Sequence, residues 1–194
     1  MNDVAERQRT WDVLLLGGPS GVGKSSAGYP LARRFDVGIT EVDDLHIAVE
    51  RLTTPAQQPT LHFWRTNPQA AQFDPERILE LHISVCRVLT PVIQAVVDNH
   101  VETRTPIVLE GDYLLPEQPK TERVKSVFLY EPDEAQIVRN FAAREPREPE
   151  QTKRARVSWL HGQWLADECR RLGLVALPAR PWTTLLDRIA AATR

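Results

Sequence analysis

The residues best suited to chemistry form a glycine-rich stretch near the start of the chain. Residues 18–25 read Gly-Pro-Ser-Gly-Val-Gly-Lys-Ser, which satisfies the spacing G-x-x-x-x-G-K-[ST]. Glycines at these positions let backbone N–H groups wrap around phosphate oxygens, while Lys24 supplies a cation and the Ser25 hydroxyl can ligate Mg²⁺. The stretch predicts a phosphate-binding loop for ATP and Mg²⁺. Its predicted nucleotide contacts are Gly18, Ser20, Gly21, Val22, Gly23, Lys24, Ser25 and Ser26.

Carboxylates stand at the ends of two further apolar segments. Glu41, Asp43 and Asp44 end or follow the second predicted strand, and Glu110 ends the third. At the carboxyl end of a parallel strand, a carboxylate can accept the proton of an acceptor hydroxyl or hold Mg²⁺ through water. Two alternatives stay open: Asp43 or Asp44 caps the next helix, and Glu110 is a strand-end acid without a special role. The sequence does not say which aspartate faces the site.

Strands and helices alternate in a pattern that would position these residues. The apolar run 13–16 reads as a buried strand, and the stretch 24–35 reads as a helix. Asp74-Pro75-Glu76 has the residue types that begin a helix, while residues 53–73 before it read as irregular. The alternation continues to the end of the chain. It predicts one three-layer α/β domain over residues 1–194 with a mainly parallel sheet.

Two motifs make the chain resemble known small kinases. Asp43-Asp44-Leu45-His46 is similar to the D-x-L-H stretch of gluconate kinases. The phosphate loop followed by an acidic element on the second strand resembles the shikimate kinase and gluconate kinase type. Residues 109–116, Leu-Glu-Gly-Asp-Tyr-Leu-Leu-Pro, are similar to the E-G-h-h-L-h-P stretch of 2-phosphoglycerate kinase-like proteins, where h is hydrophobic. The resemblance implies a P-loop NTPase fold with strand order 2-3-1-4-5, a lid, and ATP-dependent phosphate transfer to a hydroxyl of a small metabolite.

The resemblance also implies roles for individual residues. Asp43 is expected to act on the acceptor hydroxyl, and Glu41 is expected to lie near Mg²⁺. Ser25 is the other residue expected at Mg²⁺. Glu110 occupies the Walker B position, where it is expected to support the metal or bind substrate, and Gly111 would let the substrate approach the backbone. Residues 45–73 form the predicted acceptor-binding segment. From their position in this segment, Arg51, His62 and Arg65 are predicted to clamp an anionic substrate, with a purely structural role as the alternative for each. Asp44 completes the predicted acceptor site.

A basic run interrupted by glutamates, residues 139–156, is predicted to form the lid. In the kinases that the chain resembles, a lid after the fourth strand brings arginines over the transferring phosphoryl group, whose charge needs neutralisation. Arg144 and Arg147 flank a proline-marked break, so Arg144 is the predicted catalytic arginine and Arg147 a predicted substrate contact. The alternative is a solvated helix surface. Arg180, after the last strand, is predicted to contact adenine, with a plain surface loop as its alternative.

Composition limits the partners and the location. The formal net charge is −2, which gives no general attraction to nucleic acid or anionic lipid. Residues 1–9 lack an apolar signal-peptide core, and no apolar stretch approaches the ~20 residues that span a bilayer. Cys86 and Cys169 are expected to be reduced thiols. We expect a cytoplasmic protein without a membrane partner, as a monomer or homodimer.

Other functions stay open at this stage. One is a nucleotide-dependent switch or binding protein that has no acceptor. The other is a kinase that acts on an antibiotic hydroxyl or a nucleic-acid end, although no basic track with aromatic residues accompanies the lid. The sequence leaves undetermined the acceptor and the preference for ATP over another nucleoside triphosphate.

Overall fold

The central sheet of the computed structural model, which describes residues 9–194, contains five parallel strands. The strands are β1 (Val13–Gly17), β2 (Gly38–Glu41), β3 (Ile107–Gly111), β4 (Val124–Tyr130) and β5 (Val175–Pro178). They lie in the order β2-β3-β1-β4-β5, and every neighbouring pair is parallel. This confirms the predicted fold and strand order. All five carboxyl ends therefore meet at one edge of the sheet, where ligands bind in open parallel sheets.

Helices cover both faces of the sheet, as parallel strands joined by crossover connections require. Within the described residues the helices are α1 (Lys24–Phe35), α2 (Val42–Leu52), α3 (Phe63–Thr66), α4 (Pro75–Thr103), α5 (Glu134–Arg144), α6 (Thr152–Leu172) and α7 (Leu185–Ala192). Short 3₁₀ helices occupy Pro68–Gln72 and Trp182–Thr184. The segment 53–73, predicted to be irregular, therefore contains two short helical turns.

Alternate residues of the strands enter two separate apolar layers. Leu14 and Leu16 of β1 pack in the layer formed with α1 and α7, whereas Val13 packs in the layer formed with α4 and α6. The first layer includes Leu31, Phe35, Leu185 and Ile189 from its helices. The second includes Val85, Leu89, Ile93 and Leu165 from its helices. These layers hold the strand ends, and the loops that follow them, in fixed positions.

Helix starts agree with the predictions in position, and differ in how they are capped. Helix α4 begins at Pro75 after Asp74, but the Asp74 side chain makes no capping hydrogen bond. At the start of α5, the Asp133 carboxylate does accept a hydrogen bond from the Ala135 backbone N–H, at 3.0 Å. Residues 1–8, most of the charged N-terminal stretch, lie outside the described residues.

Helix α4 corrects one expectation about apolar stretches. Among the described residues it is the one helix that is long and apolar enough to cross a membrane by length and composition, with 33% of its most apolar window buried. Core helices of soluble proteins pass the same test. Its residues Val85, Leu89 and Ile93 pack in one layer with strand residues, which accounts for the apolar composition. Cys86 of this helix and Cys169 of α6 are both buried and unpaired.

Candidate functional site

The loop between β1 and α1 has the backbone that the glycine spacing predicts. Gly18, Gly21 and Gly23 all have positive φ, at 145°, 82° and 88°. A Cβ at Gly18 would lie 2.5 Å from the Leu129 carbonyl oxygen, so a side chain cannot be accommodated there. The Val22 side chain is buried in the core, which leaves only its backbone to face a ligand. The loop thus presents backbone groups at the start of α1, whose N-terminal end attracts anions.

Lys24 and Ser25, the first two residues of α1, direct their polar groups to different partners. Lys24 is 9% exposed, and its Nζ donates a hydrogen bond to the Pro19 carbonyl oxygen at 3.2 Å. A nucleotide phosphate offers stronger acceptors at the same place, because hydrogen bonds between charged groups are roughly twice as strong as neutral ones. Ser25 Oγ donates to Glu110 Oε1 at 2.7 Å.

Glu110 links the end of β3 to the first turn of α1 through this hydrogen bond. Its residue is 2% exposed, and its second carboxylate oxygen, Oε2, is buried without a hydrogen-bond partner. Burial raises the pKa of the Glu110 carboxyl, while the Lys24 ammonium and the Ser25 hydroxyl oppose that rise. A buried, unpartnered oxygen beside a serine hydroxyl and a lysine suits a water bound to Mg²⁺.

A divalent ion in this site would depend on the nucleotide for most of its ligands. Within residues 9–194, no group of three or more His, Cys, Asp or Glu side chains is arranged to hold a metal ion. Mg²⁺ commonly keeps several waters and takes few protein ligands together with substrate phosphates. Ser25 and Glu110 are placed for that arrangement. Glu41, also predicted near the metal, accepts a hydrogen bond from the Tyr29 hydroxyl at 2.7 Å.

Asp43 lies in the first turn of α2, directly after β2. Its side chain is open to solvent by accessible area, yet enough protein surrounds the carboxyl that burial raises its pKa. The neighbouring carboxylate of Asp112 raises that pKa further, and the Lys24 ammonium lowers it. Asp43 is therefore close enough to Lys24 and Asp112 for their charges to act on it. Asp44, one residue further along α2, is exposed.

The predicted acceptor segment contains a structural cluster around His62. His62 is 1% exposed, and its ring lies 3.0 Å from Thr53 Oγ1 and 2.6 Å from Arg65 Nη2. Arg65 also pairs with Glu50, at 3.2 Å between Nε and Oε1. Arg65 is thus held by protein groups, and its predicted contact with substrate stays a prediction. Arg51 is exposed at the last turn of α2.

Gly111 ends β3 beneath the start of α2. A Cβ at this position would lie 2.8 Å from the Val42 Cβ. Close packing between β3 and α2 therefore requires glycine here. The predicted approach of a substrate to the Gly111 backbone stays a prediction.

A cavity of about 640 Å³ opens beside the phosphate loop. Its lining includes Ser20, Gly21, Gly23, Lys24, Ser25, Ser26, Asn140, Arg144 and Trp182. The Trp182 ring covers Gly23, where a Cβ would lie 2.6 Å from the ring. Asn140 Nδ2 donates to the Gly21 carbonyl at 2.8 Å, which joins α5 to the loop. Trp182 and Asn140 were missed by sequence reasoning, because neither belongs to a motif.

The predicted lid consists of the end of α5, the segment 145–151 and the start of α6. Glu145 holds two of its arginines: Arg144 at 2.8 Å and Arg154 at 2.9 Å. The guanidinium groups of Arg144 and Arg154 also lie over the Phe141 ring, 5.1 and 4.3 Å from its centroid. Hydrogen bonds from Gln151, Arg144 and Arg154 lower the pKa of the Glu145 carboxyl to about 2. Arg144 thus lies at the nucleotide cavity, whereas Arg147 is exposed in the segment beyond.

Arg180 is bound to a carboxylate that sequence reasoning did not single out. Glu131, directly after β4, is 1% exposed and accepts from Arg180 Nε and Nη2 at 2.8 and 2.7 Å. The Glu131 carboxylate also accepts from the Asp133 backbone N–H at 2.9 Å. This pairing fixes the loop after β5, from which Trp182 reaches the cavity. The predicted contact of Arg180 with adenine stays a prediction.

A chain of rings lies on the other side of the site, between α2, α4 and α6. It joins His46, Tyr113, His82 and His161, with successive ring centroids 4.7, 5.2 and 4.8 Å apart. We call this the ring wall. Asp112, which precedes Tyr113, was also missed by sequence reasoning. These residues are far apart in sequence, and only the fold brings them together.

Comparison with known proteins agrees with this fold. No family model matches the chain. A curated 2-phosphoglycerate kinase of Pyrococcus horikoshii is 27% identical over 124 residues, which cover 61% of this chain and 40% of that protein. The chain therefore matches less than half the length of this relative.

Solved structures share the fold over nearly the whole chain. A gluconokinase from Sinorhizobium meliloti 1021 has a TM-score of 0.55 and 16% identity, covering 96% of this chain and 93% of its own. The protein TT1252 from Thermus thermophilus has a TM-score of 0.52 and 16% identity, covering 95% and 96%. At this level of identity the likeness establishes the fold, which is that of the small P-loop kinases the sequence resembles.

Proposed function

We propose that the protein is an ATP-dependent phosphotransferase that moves the γ-phosphate of ATP to a hydroxyl of a small metabolite. The observation that carries the proposal is the meeting of Lys24, Ser25 and Glu110 at the phosphate loop, with Asp43 at the neighbouring strand end. The names of the similar proteins, a 2-phosphoglycerate kinase and a gluconokinase, support a small hydroxylated acceptor. They do not share one substrate, so none is carried over.

In the proposed reaction, each residue has one task. Lys24 and the loop amides bind the β- and γ-phosphates, and Ser25 with Glu110 would hold Mg²⁺, which neutralises the phosphate oxygens. Asp43 accepts the proton of the acceptor hydroxyl as that oxygen bonds to the γ-phosphorus and the bond to the β-phosphate oxygen breaks. ADP leaves, and the proton passes to solvent. The raised pKa of Asp43 makes its carboxylate a stronger base than an ordinary aspartate.

The lid supplies positive charge over the group in transfer. Arg144 already lines the nucleotide cavity, and Arg154 shares its carboxylate partner Glu145. Guanidinium groups neutralise charge spread over three phosphoryl oxygens. Closure of residues 139–156 would also exclude water and limit wasteful hydrolysis of ATP. We further propose that the protein acts in the cytoplasm, as a monomer or homodimer.

An assay of ADP release with Mg-ATP tests the proposal. The panel of acceptors contains phosphoglycerates, sugar acids, nucleosides, amino sugars and aminoglycosides. We expect one acceptor class to raise ADP release well above the basal rate, and Lys24→Ala and Asp43→Asn to abolish the increase. Measurable ATP binding with no stimulation by any acceptor would instead favour a nucleotide-dependent switch.

A further inference from the structure

The ring wall lies near Asp43, on the side of the site where the proposed acceptor would bind. Tyr113 follows β3 almost directly, His46 lies on α2 three residues after Asp43, and His82 lies on α4. The wall therefore stands at the carboxyl edge of the sheet, beside the proposed base. His161 joins the wall to the phosphate loop, because the next residue, Gly162, packs against Pro19.

Several polar atoms of the ring wall and of the adjoining Asp112 are buried without a partner. His161 is 3% exposed, and its Nε2 has no hydrogen-bond partner. His46 Nε2 and Asp112 Oδ1 are also buried atoms without a hydrogen-bond partner. His82, by contrast, uses its Nε2 to donate to the Asp112 carbonyl at 3.1 Å. Leaving buried polar atoms unpaired costs free energy, so their concentration here points to a ligand that supplies partners.

The charge of this region is negative. Burial lowers the pKa of His46 and, far more strongly, that of His161, so both rings are neutral at pH 7. Burial raises the pKa of Tyr113, and the largest charge effects that add to it come from Asp112 and Asp43. This region thus combines the neutral rings of the ring wall with the adjoining Asp112 carboxylate, which accepts hydrogen bonds and repels anions.

Two cations of the candidate site, Lys24 and Arg65, already have partners. Lys24 donates into the phosphate loop, where ATP binds in the proposed reaction. Arg65 is held between Glu50 and His62.

Arg51 and Arg147, the other predicted substrate-binding cations, are exposed in the last turn of α2 and in the segment after α5, whereas Asp43 lies in the first turn of α2. A carboxylate or phosphate that lies beside Asp43 would therefore face Asp112, whereas an ammonium group would find a counter-charge there.

We propose that the acceptor is a hydroxylated amine, whose ammonium group lies against Asp112 beside the rings of Tyr113 and His46. This rests on the proposed phosphotransferase function, and gives that function a substrate class. A carboxylate attracts an ammonium group more strongly in a partly desolvated site than in open water. The unpartnered histidine nitrogens bind the hydroxyl groups, one of which reaches Asp43.

Three small probes of nearly the same shape test the charge preference. They are tris(hydroxymethyl)aminomethane, which carries an ammonium at pH 7, neutral pentaerythritol, and the anion 2,2-bis(hydroxymethyl)propionate. Binding is followed by NMR of the histidine rings, with Mg²⁺ and a non-hydrolysable ATP analogue present. We expect the amine to shift the His46 and His82 signals and to bind about tenfold more tightly than pentaerythritol, since hydrogen bonds to charged groups are the stronger ones. The anion should cause no shift.

Asp112→Asn and Glu117→Gln form the matched pair of variants. Asp112→Asn should remove the preference for the amine while the ATP analogue still binds, which also shows that the variant is folded. Glu117→Gln neutralises an exposed acid in the same loop, between β3 and β4, and should keep the preference for the amine. Tighter binding of the anion, a preference that survives Asp112→Asn, or no shift with any probe overturns the proposal.

The same probes separate this proposal from the one on which it rests. Stimulation of ADP release by hydroxy acids, and not by hydroxylated amines, would leave the kinase in place and reject the acceptor class. Selective binding of the amine, with no phosphate transfer to any hydroxylated amine, would leave an amine-binding site in place and reject the phosphotransferase function.

Discussion

At the scale of single residues, Glu110 connects the parts of the site. Its Oε1 receives the Ser25 hydroxyl hydrogen, its Oε2 lacks a protein partner, and its pKa is raised by burial. Such a carboxylate acts on Mg²⁺ through Ser25 or through a bound water. Glu110 can be predicted from the sequence because it ends an apolar segment, and the local pattern of apolar residues is enough to locate the end of a strand.

Glu110→Gln should therefore impair the metal-dependent step and spare nucleotide binding. We expect turnover to fall about 10- to 100-fold and to need more Mg²⁺, as is typical when an outer partner of a metal ligand is lost. Steady-state kinetics over a range of Mg²⁺ concentrations measure this. Unchanged turnover and unchanged Mg²⁺ dependence would show that Glu110 is only a strand-end acid.

At the scale of elements, the lid arginines are restrained by one carboxylate. Glu145 holds Arg144 and Arg154, and Phe141 beneath them packs against the phosphate loop at Gly21. Glu145 therefore competes with phosphate for both arginines. Glu145→Gln should tighten Mg-ATP binding about two- to fivefold, within the modest range of exposed ion pairs, and the gain should diminish at high salt.

Calorimetric titration with Mg-ATP at two salt concentrations checks this expectation. Glu148→Gln is the matched control, since Glu148 lies three residues away in the same segment and is exposed. Weaker binding in Glu145→Gln would mean that Glu145 positions the arginines for phosphate, and does not compete for them.

The loop after β5 gives a second prediction at this scale. Glu131 fixes Arg180, and Trp182 covers Gly23 at the nucleotide cavity. We expect the Trp182 ring to stack on adenine, so Trp182→Ala should weaken ATP binding about tenfold or more, the usual worth of base stacking. Inorganic tripolyphosphate lacks a base and should bind the variant as it binds the wild type. Equal losses for both ligands would assign Trp182 to loop packing alone.

Local sequence patterns locate one part of the site, and contacts between distant elements create the other part. The phosphate loop, Asp43 and Glu110 follow from motifs and strand ends, which are local in sequence. The ring wall, Glu131 and Trp182 depend on contacts between segments distant in sequence. Single side chains such as His82 and His161 carry no local signal of that meeting, because the sheet order creates it.

At the scale of the whole molecule, an ion pair between a buried carboxylate and a partly exposed arginine ties the edge of the sheet opposite the site. Asp12, 3% exposed, precedes β1 and receives hydrogen bonds from both Nε and Nη2 of Arg123, which precedes β4. The Arg123 guanidinium lowers the pKa of the Asp12 carboxyl. The pair stabilises two central strands far from the chemistry, so its loss should change stability and leave activity intact.

Asp12→Asn should lower the Tm by about 2–4 °C at neutral pH, which corresponds to a modest loss for a domain of this size. Since the folded pKa of Asp12 lies below its ordinary value of 3.8, the contribution is fully present above that pH and is lost as pH falls through the folded pKa. Thermal unfolding at several pH values measures the difference between the two proteins. A difference that grows toward acid would contradict this account.

In the proposed reaction the γ-phosphate passes from ATP to a hydroxyl, and this transfer can be detected directly with labelled ATP. The protein is incubated with γ-labelled Mg-ATP and a mixture of low-molecular-weight metabolites that includes hydroxylated amines, and the labelled products are separated. We predict a labelled phosphate ester with the wild type, which Asp43→Asn and Lys24→Ala do not form. Label that appears only as inorganic phosphate, or an ester formed equally by Asp43→Asn, would contradict the account.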